Sequence, residues 1–235
     1  MLIDMHAHTA GISRCCRADG ETVLRAARDA GIDGLILCNH YQEEYVTHAG
    51  PAEFAERYIA EYLRTFEAAE KLGVKLFFGV EVTAKKLGGA HILIYGPGPE
   101  LVREHPEIYE YPLEDMHAIA HAKGGLVVQA HPFRRGGHVR DLRWLDGVEV
   151  NCHPLYEATC CEEMLNIARE ARRLVTCGGD YHADTYRPVC GTYFPDDATD
   201  SAALIAHLKD SPEIKLRVHE LRTDCHRDVT FIKPR

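Results

Sequence analysis

Seven short apolar runs of four to seven residues alternate along this chain with longer segments of helical period, and that alternation constrains the fold more than any other feature. The strand-like runs are Leu2 to Met5, Gly34 to Cys38, Leu76 to Val82, Ile92 to Tyr95, Leu126 to Ala130, Gly147 to Val150 and Leu174 to Cys177. Between them, Val23, Ala27 and Ala30 mark a helix over Thr22 to Ala30, and Phe54, Tyr58, Tyr62 and Phe66 recur every fourth residue along a longer one. Further helices are predicted over Leu113 to Ala122, Glu157 to Arg172 and Ser201 to Leu208. Gly31 and Gly73 follow helical segments directly, where a left-handed C-cap asks for glycine. Repeated β/α units of this kind build a parallel barrel. With 235 residues, 46% of them hydrophobic, the chain reads as one barrel domain over 1–235, its charged end at 214–235 a strand or tail.

The net charge of -9 argues against a broad basic surface for gripping a nucleic-acid backbone, so extended nucleic-acid binding is not expected. A small substrate is. The chain opens on an apolar strand without a basic segment and long hydrophobic stretch, so neither a signal peptide nor a membrane span is predicted. Nine cysteines, including the pairs Cys15/Cys16 and Cys160/Cys161, form no CxxC framework, and a reducing cytoplasm is the expected compartment.

The polar residues of interest fall where strands end, which in a parallel barrel is one shared cleft. Asp4-Met5-His6-Ala7-His8 closes the first strand, and residues two apart in extended chain project to one side, so both imidazoles can grip one ion. By itself this pair is equally well explained as two structural histidines. Glu81 interrupts an apolar strand, where a lone carboxylate is costly unless a cation or a lysine such as Lys85 or Lys86 neutralises it. His40, His91 and His131 stand at the edges of three further apolar runs. Gly178-Gly179-Asp180-Tyr181-His182 repeats the two-residue spacing of the first motif behind a pair of small residues. Asn151 follows another strand, with Cys152 and His153 beside it, and nothing in sequence orients that thiol for catalysis. His117 and His121, four apart on a helix, lack comparable neighbours and read as structural or exposed.

Taken jointly, Asp4-Met5-His6-Ala7-His8-Thr9, Cys38-Asn39-His40, Gly79-Val80-Glu81-Val82, Ala90-His91-Ile92-Leu93, Ala130-His131-Pro132 and Gly179-Asp180-Tyr181-His182 resemble, in order, the PHP (polymerase and histidinol phosphatase) superfamily. The resemblance implies a distorted (β/α)7 barrel with two or three divalent ions, zinc, manganese or iron, at the C-terminal ends of the strands. It implies one metal on His6, His8, Glu81 and Asp180, a second on Glu81, His91 and His131, and a third on His40 and His182. Two positions depart from the pattern. In the early loop either Cys15 or Asp19 stands for a further ligand, a thiolate suiting zinc and a carboxylate suiting all three metals. Asn39 occupies a place where aspartate is usual, and an uncharged amide orients His40 less strongly.

The activity so implied is hydrolysis of a phosphoester by a metal-activated hydroxide, on a small metabolite of histidinol phosphate or nucleotide type. Asp180, His182 and His131 would stand nearest the reaction, with Arg17, Arg134, Arg187 and Asn151 as candidates to bind phosphate or substrate. Two other classes compete. One is hydrolysis of a carbon-nitrogen or carboxylic-ester bond by the same chemistry, and the other is a non-catalytic metal-binding module.

Overall fold

The computed structural model describes residues 1–153, 159–183, 189–221, 223 and 225–234. In chain order the elements are β1 (Leu2–Ala7), α1 (Gly20–Asp29), β2 (Gly34–Leu37), β3 (His40–Tyr41), α2 (Glu43–Ala49), α3 (Pro51–Leu72), β4 (Lys75–Ala84) and β5 (Ala90–Tyr95). There follow α4 (Glu100–Glu104), α5 (Leu113–Ala122), β6 (Leu126–Gln129), β7 (Gly147–Asn151), α6 (Cys161–Ala171) and β8 (Leu174–Gly178). The chain ends with β9 (Gly191–Tyr193), α7 (Ser201–Asp210), β10 (Glu213–His219) and β11 (His226–Ile232). Short 3-10 turns join several of them.

The longest helix illustrates how local chemistry sets these limits. Pro51 at the start of α3 supplies a fixed φ where no backbone donor is needed, and Gly73 ends the helix in the left-handed region. Between them Phe54, Tyr58 and Ile59 are buried against Val80, Val82, Ile92 and Ile94 of β4 and β5, with Met116 and Ala120 of α5 in the same cluster. Each such side chain contributes about 1.5–3 kcal/mol by leaving water. A second cluster joins Ile3, Ile36, Phe77, Leu93 and Val128 from five strands and continues into Met164 and Leu165 of α6. Side chains alternate along a strand, so Glu81 projects to the same side of β4 as Phe77.

One sheet runs in the order β11-β10-β9-β1-β2-β4-β5-β6-β7-β8, with β3 paired to β4. A single parallel bridge between Ala7 and Tyr181 then brings the end beyond β8 back to β1, giving a nearly closed α/β barrel. The seven parallel repeats expected from sequence need correction here. Strands β1, β2 and β4 pair in parallel, as do β6, β7 and β8, but β5 runs antiparallel to both of its neighbours. The turn from Lys85 to Gly89 is too short for a crossover helix, so β4 and β5 form a hairpin. Reversal places the start of β5 beside the end of β4, with Thr83 opposite His91. His91 therefore reaches the same barrel end as the other strand termini. The charged C-terminus is a hairpin of β10 and β11, docked on β9, and its Phe231 is fully buried.

Candidate metal centre

At this end of the barrel His6, His8, Glu81 and Asp180 are all buried and their donor atoms face one point. Nε2 of His6 lies 3.0 Å from Nε2 of His8, 3.4 Å from Glu81 Oε1 and 3.5 Å from Asp180 Oδ1. Nε2 of His8 lies 3.5 Å from Glu81 Oε2 and 3.0 Å from Asp180 Oδ1. Donors bound about 2.0–2.1 Å from a tetrahedral ion stand roughly 3.4 Å apart, so the spacing matches a ligand shell.

The hydrogen bonds behind these rings explain why they point inward. His6 Nδ1 contacts Glu149 Oε1 at 2.9 Å, a carboxylate that can only accept, so the proton belongs on Nδ1 and Nε2 is bare. Ser13 Oγ donates to Asn39 Oδ1 at 2.9 Å, and must therefore accept from His8 Nδ1 at 3.0 Å. Both Nε2 lone pairs then face each other and two carboxylates. Nearby, Glu81 Oε2 and His40 Nδ1 are buried 2.5 Å apart without forming a hydrogen bond. A cation removes both conflicts, and imidazole with carboxylate is the donor chemistry of a divalent transition metal.

Glu81 extends the cluster. Its Oε1 is 2.7 Å from His91 Nδ1 and 3.1 Å from His131 Nε2, so one carboxylate touches two groups of potential donors. Burial alone would raise its pKa, yet the surrounding imidazoles of His91, His40 and His6 hold the carboxyl well below its ordinary value. Burial likewise opposes the charged form of Asp180, and His6 and His8 outweigh it. A third group is formed by His8, His40 and His182, whose ring nitrogens lie within 4.8 Å of one another.

Of the two early-loop alternatives, only Cys15 meets this group. Its thiol is opposed by burial but drawn down to about 6 by hydrogen bonds with His182 and His40. Asp19 instead caps α1, accepting from Thr22 N–H at 2.8 Å. Asn39, its side chain engaged with Thr9 and Ser13, acts on His40 only indirectly, through the Ser13 hydroxyl that accepts from His40 N–H.

The cluster opens into a cavity of about 610 Å³, lined among others by Arg134, Arg135, Asn151 and His153. Arg17 is exposed and does not line this cavity, although its backbone N–H donates to His182 O at 2.8 Å. Arg187 lies outside the described residues. His131 and Asp180 hold positive φ, 29° and 50°, which costs non-glycine residues of order 1–3 kcal/mol and aims both side chains into the centre.

Sequence reading missed three supports of this arrangement. Glu149 Oε1 orients His6, while its Oε2 accepts from His131 N–H at 3.0 Å and from Asn151 Nδ2 at 2.9 Å. Its signal was the same as that of Glu81, a carboxylate inside the apolar run Val148-Glu149-Val150. Asp4 accepts from the N–H groups of His6 and Gly179 at 3.0 and 2.8 Å, and burial pushes its carboxyl up to about 7. Ser13, a short polar residue in a loop, offered no signal of its own.

Several solved structures share this architecture. A two-domain protein from Bacteroides vulgatus, described as containing a PHP-like metal-dependent phosphoesterase, aligns with a TM-score of 0.67 and 16% identity. That alignment covers 93% of this chain and 65% of the longer protein. A protein from Bifidobacterium adolescentis, described as a metal-dependent phosphoesterase, gives 0.54 and 19% over 86% of this chain and 93% of its own. An amidohydrolase from Chromobacterium violaceum, holding sulfate, gives 0.57 and 15% over 83% and 93%. No protein-family model and no curated protein matches the sequence. The fold is that of the PHP-like phosphoesterases.

Proposed function

We propose that this chain is a metal-dependent phosphoesterase acting on a small phosphorylated metabolite of histidinol phosphate or nucleotide type. The observation that carries the reading is the convergence of His6, His8, Glu81 and Asp180 at ligand spacing beneath a cavity edged by Arg134 and Arg135. His6, His8, Glu81 and Asp180 would hold one ion, His91 and His131 with Glu81 a second, and His40 and His182 with Cys15 a third. Bound zinc, manganese or iron supplies Lewis acidity, drawing in phosphate charge and making water acidic enough to ionise near neutral pH.

The chain's own groups divide the remaining work. Glu149 keeps the proton on His6 Nδ1 and so leaves Nε2 as a donor. The guanidinium groups of Arg134 and Arg135 bind phosphate oxygens, a match of fork to oxyanion. Asn151 is held by Glu149 and lines the same cavity, placed to position the rest of the substrate. His182 and His131, at the rim of the centre beside Asp180, are the groups nearest a departing oxygen.

Cleavage of a carbon-nitrogen or carboxylic-ester bond could use the same centre, but paired arginines at its mouth favour a phosphate. The net charge of -9 supports a small substrate over extended nucleic acid. Nine free thiols support a reducing, cytoplasmic setting, and no helix of the described residues is long and apolar enough to cross a membrane. The test is a screen of phosphorylated metabolites, carboxylic esters and amides with protein reconstituted in zinc, manganese or iron. Turnover of a phosphoester that Asp180→Ala abolishes is expected. Turnover confined to phosphate-free substrates would overturn the reading.

A further inference from the structure

A second set of donor atoms lies outside the histidine cluster, where the barrel closes. Strand β8 ends the hydrogen-bonded order of the sheet, and β9 is bonded to β1 and β10 instead. Across this seam Cys177 of β8 meets Cys190, which immediately precedes β9, and Cys152, which immediately follows β7. The three residues are 0%, 1% and 3% exposed, and their sulfurs all lie within 4.8 Å of one another.

Sulfur geometry separates the possible uses of such a trio. Cys152 and Cys177 have Sγ atoms 3.7 Å apart, far from the roughly 2.05 Å of a disulfide. Thiolates bound at about 2.3 Å to one tetrahedral ion stand roughly 3.75 Å apart. The Cys190 side of the trio borders the first strand. Asp4 Oδ2 is buried and has no hydrogen-bond partner, while its other oxygen is fixed by Gly179 N–H. A Cβ placed on Gly179 would lie 2.8 Å from Asp4 Oδ2 and 3.5 Å from Cys190 Sγ, so both atoms border one small space kept open by glycine.

We propose that Cys152, Cys177 and Cys190 form a structural site for a soft divalent cation of the zinc or cadmium type, held by their three thiolates. Binding releases the thiol protons to solvent and leaves three thiolates on the ion. The proton that Cys177 directs at the Arg217 carbonyl, 3.3 Å away, is among those given up. The ion ties β7, β8 and the segment before β9 together where backbone pairing is interrupted. None of the three cysteines lines the cavity of the histidine centre.

Cadmium is the probe, since thiolate coordination gives an ultraviolet charge-transfer band that imidazole and carboxylate do not. The background is Cys15→Ser, which removes the thiol beside the histidine centre. This protein, reduced and loaded with cadmium, is expected to show the band and to lose it, with one bound ion per chain, on adding Cys190→Ser. Circular dichroism checks that the double variant is folded. Cadmium NMR of the Cys15→Ser protein itself needs no further substitution and is expected to give a strongly deshielded, sulfur-rich resonance beside those of nitrogen and oxygen sites. Absence of that resonance in protein whose histidine centre is loaded would overturn the proposal, as would an undiminished band after Cys190→Ser.

Discussion

His6 can serve as a metal ligand only because of what stands behind it. Glu149 fixes its tautomer and at the same time holds His131 N–H and Asn151, so one carboxylate braces three residues of the site. Replacing Glu149 with Gln should weaken metal binding by roughly 10–100-fold while the protein remains folded, as removal of such outer partners typically does. A metal titration with unchanged affinity would remove Glu149 from this role. The early loop gives a paired prediction. Asp19→Ala should cost about 1 kcal/mol of stability through the lost helix cap, with metal content unaltered. Cys15→Ser should do the reverse, altering metal affinity and leaving the melting temperature of the metal-free protein nearly unchanged. At this scale the sequence was informative where a charged or imidazole side chain interrupted an apolar run, as at His6, Glu81 and Asp180. It could not choose between Cys15 and Asp19, because that choice depends on a loop conformation set by contacts with His40 and His182 on distant strands.

Elements were legible where their period was strong. The helix over Leu113 to Ala122 has the limits its pattern predicts, and the strand cores agree within a few residues. Direction was not legible, since an apolar run reads alike either way, and only the shortness of the segment from Lys85 to Gly89 hinted that β5 turns back. The charged C-terminus was also ambiguous, because the outward positions of β10 and β11 dominate its composition. Phe231 shows that the hairpin belongs to the fold, and Phe231→Ala should destabilise the protein by about 3–5 kcal/mol in denaturant unfolding. A dispensable tail would give almost no change. Strand β8 offers a sharper test of how elements shape the site. A Cβ on Gly178 would lie 2.5 Å from His6 Cβ and 2.6 Å from Glu149 Oε1, so Gly178→Ala should displace His6 and sharply reduce metal uptake.

For the whole molecule, the main consequence of the centre is that stability and metal content are linked. Ions that bind the folded chain alone add about 2.7 kcal/mol each when present at a hundredfold excess over their dissociation constant. Protein stripped with a chelator should therefore melt well below the reconstituted form, and identical melting curves would argue that the cluster holds no metal. The hairpin of β4 and β5 also bears on the order in which the centre comes together. Glu81 and His91 are ten residues apart in sequence, whereas Asp4 and Gly179, whose contact joins the two ends of the barrel, are separated by 175. Closing the longer loop costs roughly 2.5 kcal/mol more chain entropy. Folding should thus bring Glu81 and His91 together in a local ribbon first, and the nascent chain would hold half of its centre before the residues around Asp180 arrive to complete it.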